Sequence, residues 1–222
     1  MSALAGRGEI VAAIESTGVV AVVRLTDAGA FGEVAAALIE GGVRAIEVTM
    51  TVPRALALIE SLAGSAPKDV IVGAGTVLDA ETARQVILAG ARFVVSPVLR
   101  PAVIELAHRY HIAAMPGCFT PTEILTAWEA GADVVKVFPA TALGPGFFKD
   151  VRGPLPQVRL MPTGGVTREN AGEWIAAGAM AIGVGTALVD PKAVSASRFD
   201  LVSANARHFI DAVRVARASQ RG

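Results

Sequence analysis

Short β-branched runs recur eight times along the chain, each followed by a segment of helical period, and this repeat limits the possible folds more than any single residue does. The runs fall at 19–25, 45–49, 70–75, 93–97, 112–117, 134–139, 159–164 and 181–188. Most are near-continuously apolar, as parallel strands covered on both faces must be. Alanine-rich helical patterns lie between them at 28–40, 53–63, 80–89, 101–109, 121–130 and 170–177. The helix-to-strand joint repeats as a phrase: GGVRAIEV, AGARFVV, AGADVVKV and AGAMAIGV. Gly41, Gly90, Gly131 and Gly178 stand in these joints where a left-handed C-cap is expected.

Eight strands alternating with helices give either a closed (β/α)8 barrel or an open doubly wound sheet. After the first run the chain reads Val23-Arg24-Leu25-Thr26-Asp27, with no G-x-G-x-x-G. The last two units end in glycine-rich turns, where barrels build phosphate sites. The expectation is therefore an α/β protein, a (β/α)8 TIM barrel with an extra N-terminal helix near 8–16 and a closing helix near 198–218. No Pro/Ser-rich spacer or charge run divides the units, so residues 1–222 read as a single domain.

Composition removes several function classes. Twenty basic and twenty acidic residues cancel, so no global field favours nucleic acid or anionic membrane. No apolar stretch of 18 residues is free of charge, and Glu9 and Glu15 interrupt the apolar N-terminal segment, so neither a membrane span nor a signal peptide is expected. One cysteine, Cys118, excludes an intrachain disulfide and a multi-cysteine metal site and fits a reducing, cytoplasmic compartment. No His/Cys/carboxylate group has metal-ligand spacing. His108 and His111 read as helix C-terminal residues, and Trp128 and Trp174 as packing.

Charged residues inside apolar strands are the informative exceptions. Side chains alternate faces with period two. In the sixth run Val134, Lys136 and Phe138 share one face. In the second, Ala45, Glu47 and Thr49 do so, and in the first, Val20, Val22 and Arg24. A buried lysine loses its charge readily, and a neutral amine can attack a ketone to form a Schiff base; the competing reading is a strand-end lysine that reaches solvent. Glu47 can move protons, or it forms a structural ion pair with Arg24 or Lys136. Arg24, at a strand's C-terminal end, can hold a carboxylate or phosphate, or form a rim salt bridge. Three charges on the inward parity of three strands carry more weight than any one of them. The glycines of 72–77 allow close backbone approach to a ligand, with Thr76 adding a hydroxyl. The turns Thr163-Gly164-Gly165-Val166, with Thr167 as an expected helix cap, and Gly183-Val184-Gly185-Thr186 offer backbone amides to an anion.

The phrases GGVRAIEVTMTVP, IVGAGTVL, FVVSPVL, MPGCFTPTE, VVKVFPATALGPGFFK, MPTGGV and AIGVGTALV, in that order, make the chain resemble the 2-keto-3-deoxy-6-phosphogluconate / 4-hydroxy-2-oxoglutarate aldolases, class I pyruvate enzymes. The match runs from about Val19 to Leu188. The resemblance implies Lys136 as the Schiff-base lysine and Glu47 as general acid/base. It implies Thr76 near the pyruvate carboxylate and Thr163 at a substrate hydroxyl. It assigns Gly164, Gly165, Gly185 and Thr186 to phosphate. It further implies a homotrimer, a small-molecule 2-keto-3-deoxy sugar acid as substrate, and neither cofactor nor metal. Arg24, Phe138 and Thr51 complete the expected substrate-binding set. Thr51 stands where many members carry a carboxylate-holding arginine, which places more of that task on Arg24 and the amides near Thr76. The alternatives are 2-keto-3-deoxy-6-phosphogalactonate cleavage, a non-covalent phosphosugar epimerase or synthase on the same barrel, and a non-enzymatic oligomeric scaffold.

Overall fold

The computed structural model describes residues 6–220. Helix α1 (Arg7–Thr17) leads into β1 (Val19–Val23), followed by α2 (Phe31–Glu40), β2 (Ala45–Thr49), α3 (Ala55–Ser65), β3 (Ile71–Gly75) and α4 (Ala80–Leu88). Next come β4 (Phe93–Val95), α5 (Pro101–Arg109), β5 (Ala113–Met115), β6 (Gly117–Cys118), α6 (Pro121–Glu129) and β7 (Val135–Val137). The chain ends with α7 (Gly144–Arg152), β8 (Leu160–Pro162), α8 (Ala171–Ala176), β9 (Ile182–Val184), α9 (Pro191–Ser195) and α10 (Phe199–Ser219).

All strand pairs are parallel, in a six-stranded order β5-β4-β3-β2-β1-β9 and a three-stranded order β6-β7-β8. A parallel bridge joins Thr163, just past β8, to Gly183 of β9. The fifth run is split into β5 and β6 at Pro116, which has no N–H to give a ladder. The fold is thus α/β, with a curled parallel sheet and helices on its outer face.

The repeated joint is a repeated hydrogen-bond motif. Val43, Ala91, Ala132 and Ala179 donate backwards to Leu38, Val86, Ala127 and Trp174 at 2.9–3.0 Å. The residue before each donor is Gly42, Gly90, Gly131 or Gly178, with φ between 92° and 106°. At the first joint this corrects the expectation for Gly41, whose φ is −73°. Gly41 is required for a different reason. A Cβ there would lie 2.3 Å from the Ala206 Cβ and 2.6 Å from the Ser203 carbonyl oxygen, so α10 rests directly on the backbone. His111, at φ 56°, fills the glycine's place in a fifth copy, with Ile112 N–H donating to Ala107 O at 2.9 Å.

A further expectation is corrected. Thr167 is not a helix cap: α8 starts at Ala171 behind Asn170, whose Oδ1 accepts from the Thr167 N–H. The segment 144–152, for which the sequence analysis names no helix, is helix α7. Its Phe148 packs edge-on against Trp174, ring centroids 5.1 Å apart.

Strand parity sorts the core into two bodies. Val19, Ala21, Val23, Ile46, Val48, Val135 and Val137 pack outward against the helices. Val20, Ala45, Ile71, Phe93, Val95, Met115, Val134, Met161 and Ala181 pack on the inner face, together with Ile10, Val11 and Ile14 of α1. Helix α1 therefore lies across the N-terminal end of the strands. Each of its three buried side chains contributes on the order of 2 kcal/mol of hydrophobic stabilisation. Moving along the strands toward their C-terminal ends, the inner face changes from apolar to charged.

Candidate active site

Two residues along from the apolar layer, at the next inward positions, stand Glu47 on β2 and Lys136 on β7, 1% and 5% exposed. The register sets their neighbours. Glu47 pairs with Val22 and Gly73, and Lys136 with Gly117 and Met161. Both parities agree with the sequence reading. Lys136 does not reach solvent, which removes the strand-end alternative. Both carboxylate oxygens of Glu47 are buried without a hydrogen bond, so no close structural ion pair forms.

Burial pushes the Glu47 carboxyl above its ordinary 4.5, against the opposing pull of the Lys136 and Arg24 charges. Burial pushes Lys136 below its ordinary 10.5; Glu47 works against this shift, and Arg24 adds to it. The two groups thus move toward each other in proton affinity, which suits an amine that must be neutral and a carboxyl that must exchange protons. The Lys136 Nζ also sits 4.9 Å from the centre of the Phe138 ring on the same strand face.

The next level is polar and open. Arg24 is exposed at the end of β1 and lines a cavity of about 150 Å³ with Phe138, Thr163, Gly164, Gly165, Gly185 and Thr186. Gly164 and Gly165 follow one another at φ 86° and 73°, a backbone that turns successive amides to one side. The N–H groups of Gly165, Val166, Thr186 and Ala187 donate to no carbonyl among the described residues. An anion is the natural acceptor for such a set. The Thr163 hydroxyl is buried and unpaired; Gly183 makes room for it, since a Cβ there would lie 2.4 Å from Oγ1.

Thr76 and Thr51 lie outside that cavity, at the ends of β3 and β2. Thr76 has φ 59°, a costly conformation for a β-branched residue and one that concentrates at functional sites. The Thr51 hydroxyl hydrogen-bonds that of buried Thr49 at 2.8 Å. Thr49 shares the face of Glu47, and parity alone could have nominated it. Ser96, buried just past β4, accepts the Val98 N–H at 3.4 Å.

Cys118 sits in a poor setting for a nucleophile. Its Sγ donates to the Glu123 carbonyl at 3.3 Å, and burial, with Glu123 nearby, pushes the thiol up to about 12. His108 Nε2 is 3.1 Å from Asp133 Oδ2, tying the end of α5 to the start of the β7 segment. No group of three or more metal-ligating side chains occurs among the described residues, and none of their helices is long and apolar enough to cross a membrane.

A family model for KDPG and KHG aldolases matches residues 10–205. The chain belongs to this aldolase family. It is a lyase by that membership. A probable 2-dehydro-3-deoxy-6-phosphogalactonate aldolase of Rhizobium meliloti (strain 1021) is 40% identical over 159 residues, covering 71% of this chain and 75% of the relative. A 2-dehydro-3-deoxy-phosphogluconate aldolase of Treponema pallidum (strain Nichols) is 36% identical over 206 residues, covering 91% and 97%. Among solved structures, a KDPG aldolase from Legionella pneumophila, holding pyruvate as a covalent carbinolamine, superposes with a TM-score of 0.82 at 29% identity, covering 89% of this chain and 96% of that one.

Proposed function

We propose that this aldolase cleaves a 2-keto-3-deoxy-6-phospho sugar acid, or 4-hydroxy-2-oxoglutarate, through a Schiff base on Lys136. The observation that carries the reading is the pair Lys136 and Glu47. The two are buried on one inner face, and burial moves each toward its neutral form. Neutral Lys136 Nζ attacks the C2 ketone; protonated Glu47 gives its proton to the departing C2 hydroxyl, and loss of water leaves a protonated imine and a Glu47 carboxylate. Glu47 takes the C4 hydroxyl proton, the C3–C4 bond breaks, and its electrons enter the imine to give an enamine. The aldehyde departs as glyceraldehyde 3-phosphate or glyoxylate. Protonation at C3 and hydrolysis then release pyruvate and restore the amine.

The remaining residues divide by position. Arg24 and the amides about strained Thr76 hold the pyruvyl carboxylate, with Thr51 at the rim; Phe138 covers the imine. Thr163 receives a substrate hydroxyl. Gly164, Gly165, Gly185 and Thr186 cradle the phosphate, a role supported by their cavity and its free amides. Relatives of similar identity are named for phosphogalactonate and for phosphogluconate, and Thr163 and the phosphate cradle serve either.

The architecture that serves this chemistry is one (β/α)8 domain whose sheet closes into a barrel. The Thr163–Gly183 bridge supports closure, as does the 113–118 segment, which bonds β4 through Ser96 N–H and β7 through Lys136 and Phe138 N–H. The enzyme works as a cytoplasmic homotrimer, an arrangement that would cover the exposed Leu78, Val98 and Phe119 at the ends of β3, β4 and β6.

Borohydride reduction in the presence of pyruvate, read by peptide mass spectrometry, tests the proposal. A reduced pyruvyl adduct on Lys136, absent in a folded Lys136→Ala variant that has also lost lyase activity, is the expected result. No adduct in the folded wild-type protein, or an adduct on another lysine, overturns it.

A further inference from the structure

We infer that Gly75 is a positioning residue: by lacking a side chain it creates the notch in which the Glu47 carboxylate stands. The inference rests on the role proposed for Glu47 and adds a second residue to it. Glycines at this point of β3 suggest from sequence a backbone that a ligand approaches closely. The structure gives the space a different occupant. A Cβ built on Gly75 would lie 1.7 Å from Glu47 Oε1, 2.4 Å from its Cδ and 2.8 Å from its Cγ. The carboxylate lies in the volume that any other residue at 75 would fill.

The backbone side of this contact cannot yield freely. Gly75 is held in the ladder opposite Thr49, and its carbonyl accepts the Met50 N–H at 2.8 Å. The next residue, Thr76, is already at φ 59°, so the strand end has little slack to absorb a shift. Glu47 is a flexible side chain by comparison, but it is buried and its oxygens have no hydrogen bond to anchor them elsewhere. The notch is therefore what locates the carboxylate. An added methyl is accommodated by moving the carboxylate off β3 by roughly an ångström or more, a displacement that can cost on the order of 10²-fold in rate when it falls on a group that must meet a reacting atom.

A second glycine of the same strand shows the same device with a different filling. A Cβ on Gly73 would lie 2.3 Å from the Phe93 ring. Substitution there disturbs apolar packing below the charged layer, and it serves as the control for general disruption.

The test is a double-mutant cycle on kcat, with KM, thermal unfolding and borohydride trapping by pyruvate measured alongside. The variants are Gly75→Ala, Glu47→Asp, their combination, Glu47→Gln, and Gly73→Ala. Gly75→Ala is expected to lower kcat on the order of 10²-fold while pyruvate still forms its adduct on Lys136. Glu47→Asp, one methylene shorter, lowers kcat in the wild-type background. In the Gly75→Ala background it relieves the collision, so the double variant recovers activity relative to Gly75→Ala alone. Losses that multiply, with no rescue, overturn the inference; so does a Gly75→Ala enzyme with wild-type kcat, or a Gly73→Ala enzyme rescued equally by Glu47→Asp. Failure of the underlying reading has its own signature: Glu47→Gln at full kcat removes Glu47 from the chemistry whatever the cycle returns.

Discussion

Replacing Lys136 by Met and Glu47 by Leu together should make the protein more stable and catalytically dead. Each group is buried and pays desolvation in its charged form. Their mutual attraction offsets only part of this, because no hydrogen bond holds the carboxylate. Exchanging such a pair for apolar side chains of similar volume typically stabilises by about 1–4 kcal/mol. In a chain of this length that is several degrees in Tm. The single variants separate the contributions by pH. With Lys136→Met, Glu47 remains, its folded pKa raised. Its penalty is absent below 4.5, its ordinary value, and grows as pH rises through the folded pKa, so stability relative to the double variant falls with rising pH. With Glu47→Leu, Lys136 remains, its folded pKa lowered. Its penalty is full below the folded pKa and disappears as pH climbs to 10.5, so relative stability rises with pH. Urea unfolding of the four proteins from pH 5 to 10 reads both slopes. A double variant less stable than wild type at neutral pH, or single variants whose slopes share a sign, would refute the account of an active pair held against its own solvation.

Two other perturbations test features away from the chemistry. Gly41→Ala forces a methyl against Ala206 and the Ser203 carbonyl and should destabilise by about 1–3 kcal/mol through overpacking between α2 and α10; a Tm equal to wild type would show that the two helices separate freely. Cys118, with its thiol pushed up to about 12, should resist iodoacetamide at pH 8 in the folded protein and react once urea unfolds it, followed by mass; rapid labelling of the folded protein would contradict its burial and charge state.

What the sequence disclosed was periodicity. Alternation placed Lys136, Glu47 and Arg24 on the inward side of their strands, and the structure puts two of them in one buried layer and the third at the rim. The runs 93–97, 134–139 and 181–188 are longer than the strands they contain, because apolar character continues past the last ladder residue; after β7 and β9 it runs into the loops that form the cavity. Helix α7 was illegible because Gly144-Pro145-Gly146 suits a turn as well as it suits a first helical turn, where proline's missing N–H is harmless. Composition also could not assign each glycine its task. Gly42 supplies a left-handed angle, Gly41 a close helix approach, Gly75 a vacancy for another side chain, and Gly164 and Gly165 a turned pair of amides. One letter serves four physical ends, and only the neighbours in space tell them apart.

The placement of α1 has a consequence for traffic. With Ile10, Val11 and Ile14 seated against the inner layer, the inner face of the sheet is covered at the N-terminal ends of its strands. Under the proposed chemistry and the proposed closed barrel, the site is a cul-de-sac: substrate, water and both products share one mouth, and Lys136 stands toward its blind end. The fragment bound to the lysine is then the last to leave. The aldehyde, nearer the opening, must clear the mouth before the water that hydrolyses the imine can come in behind it.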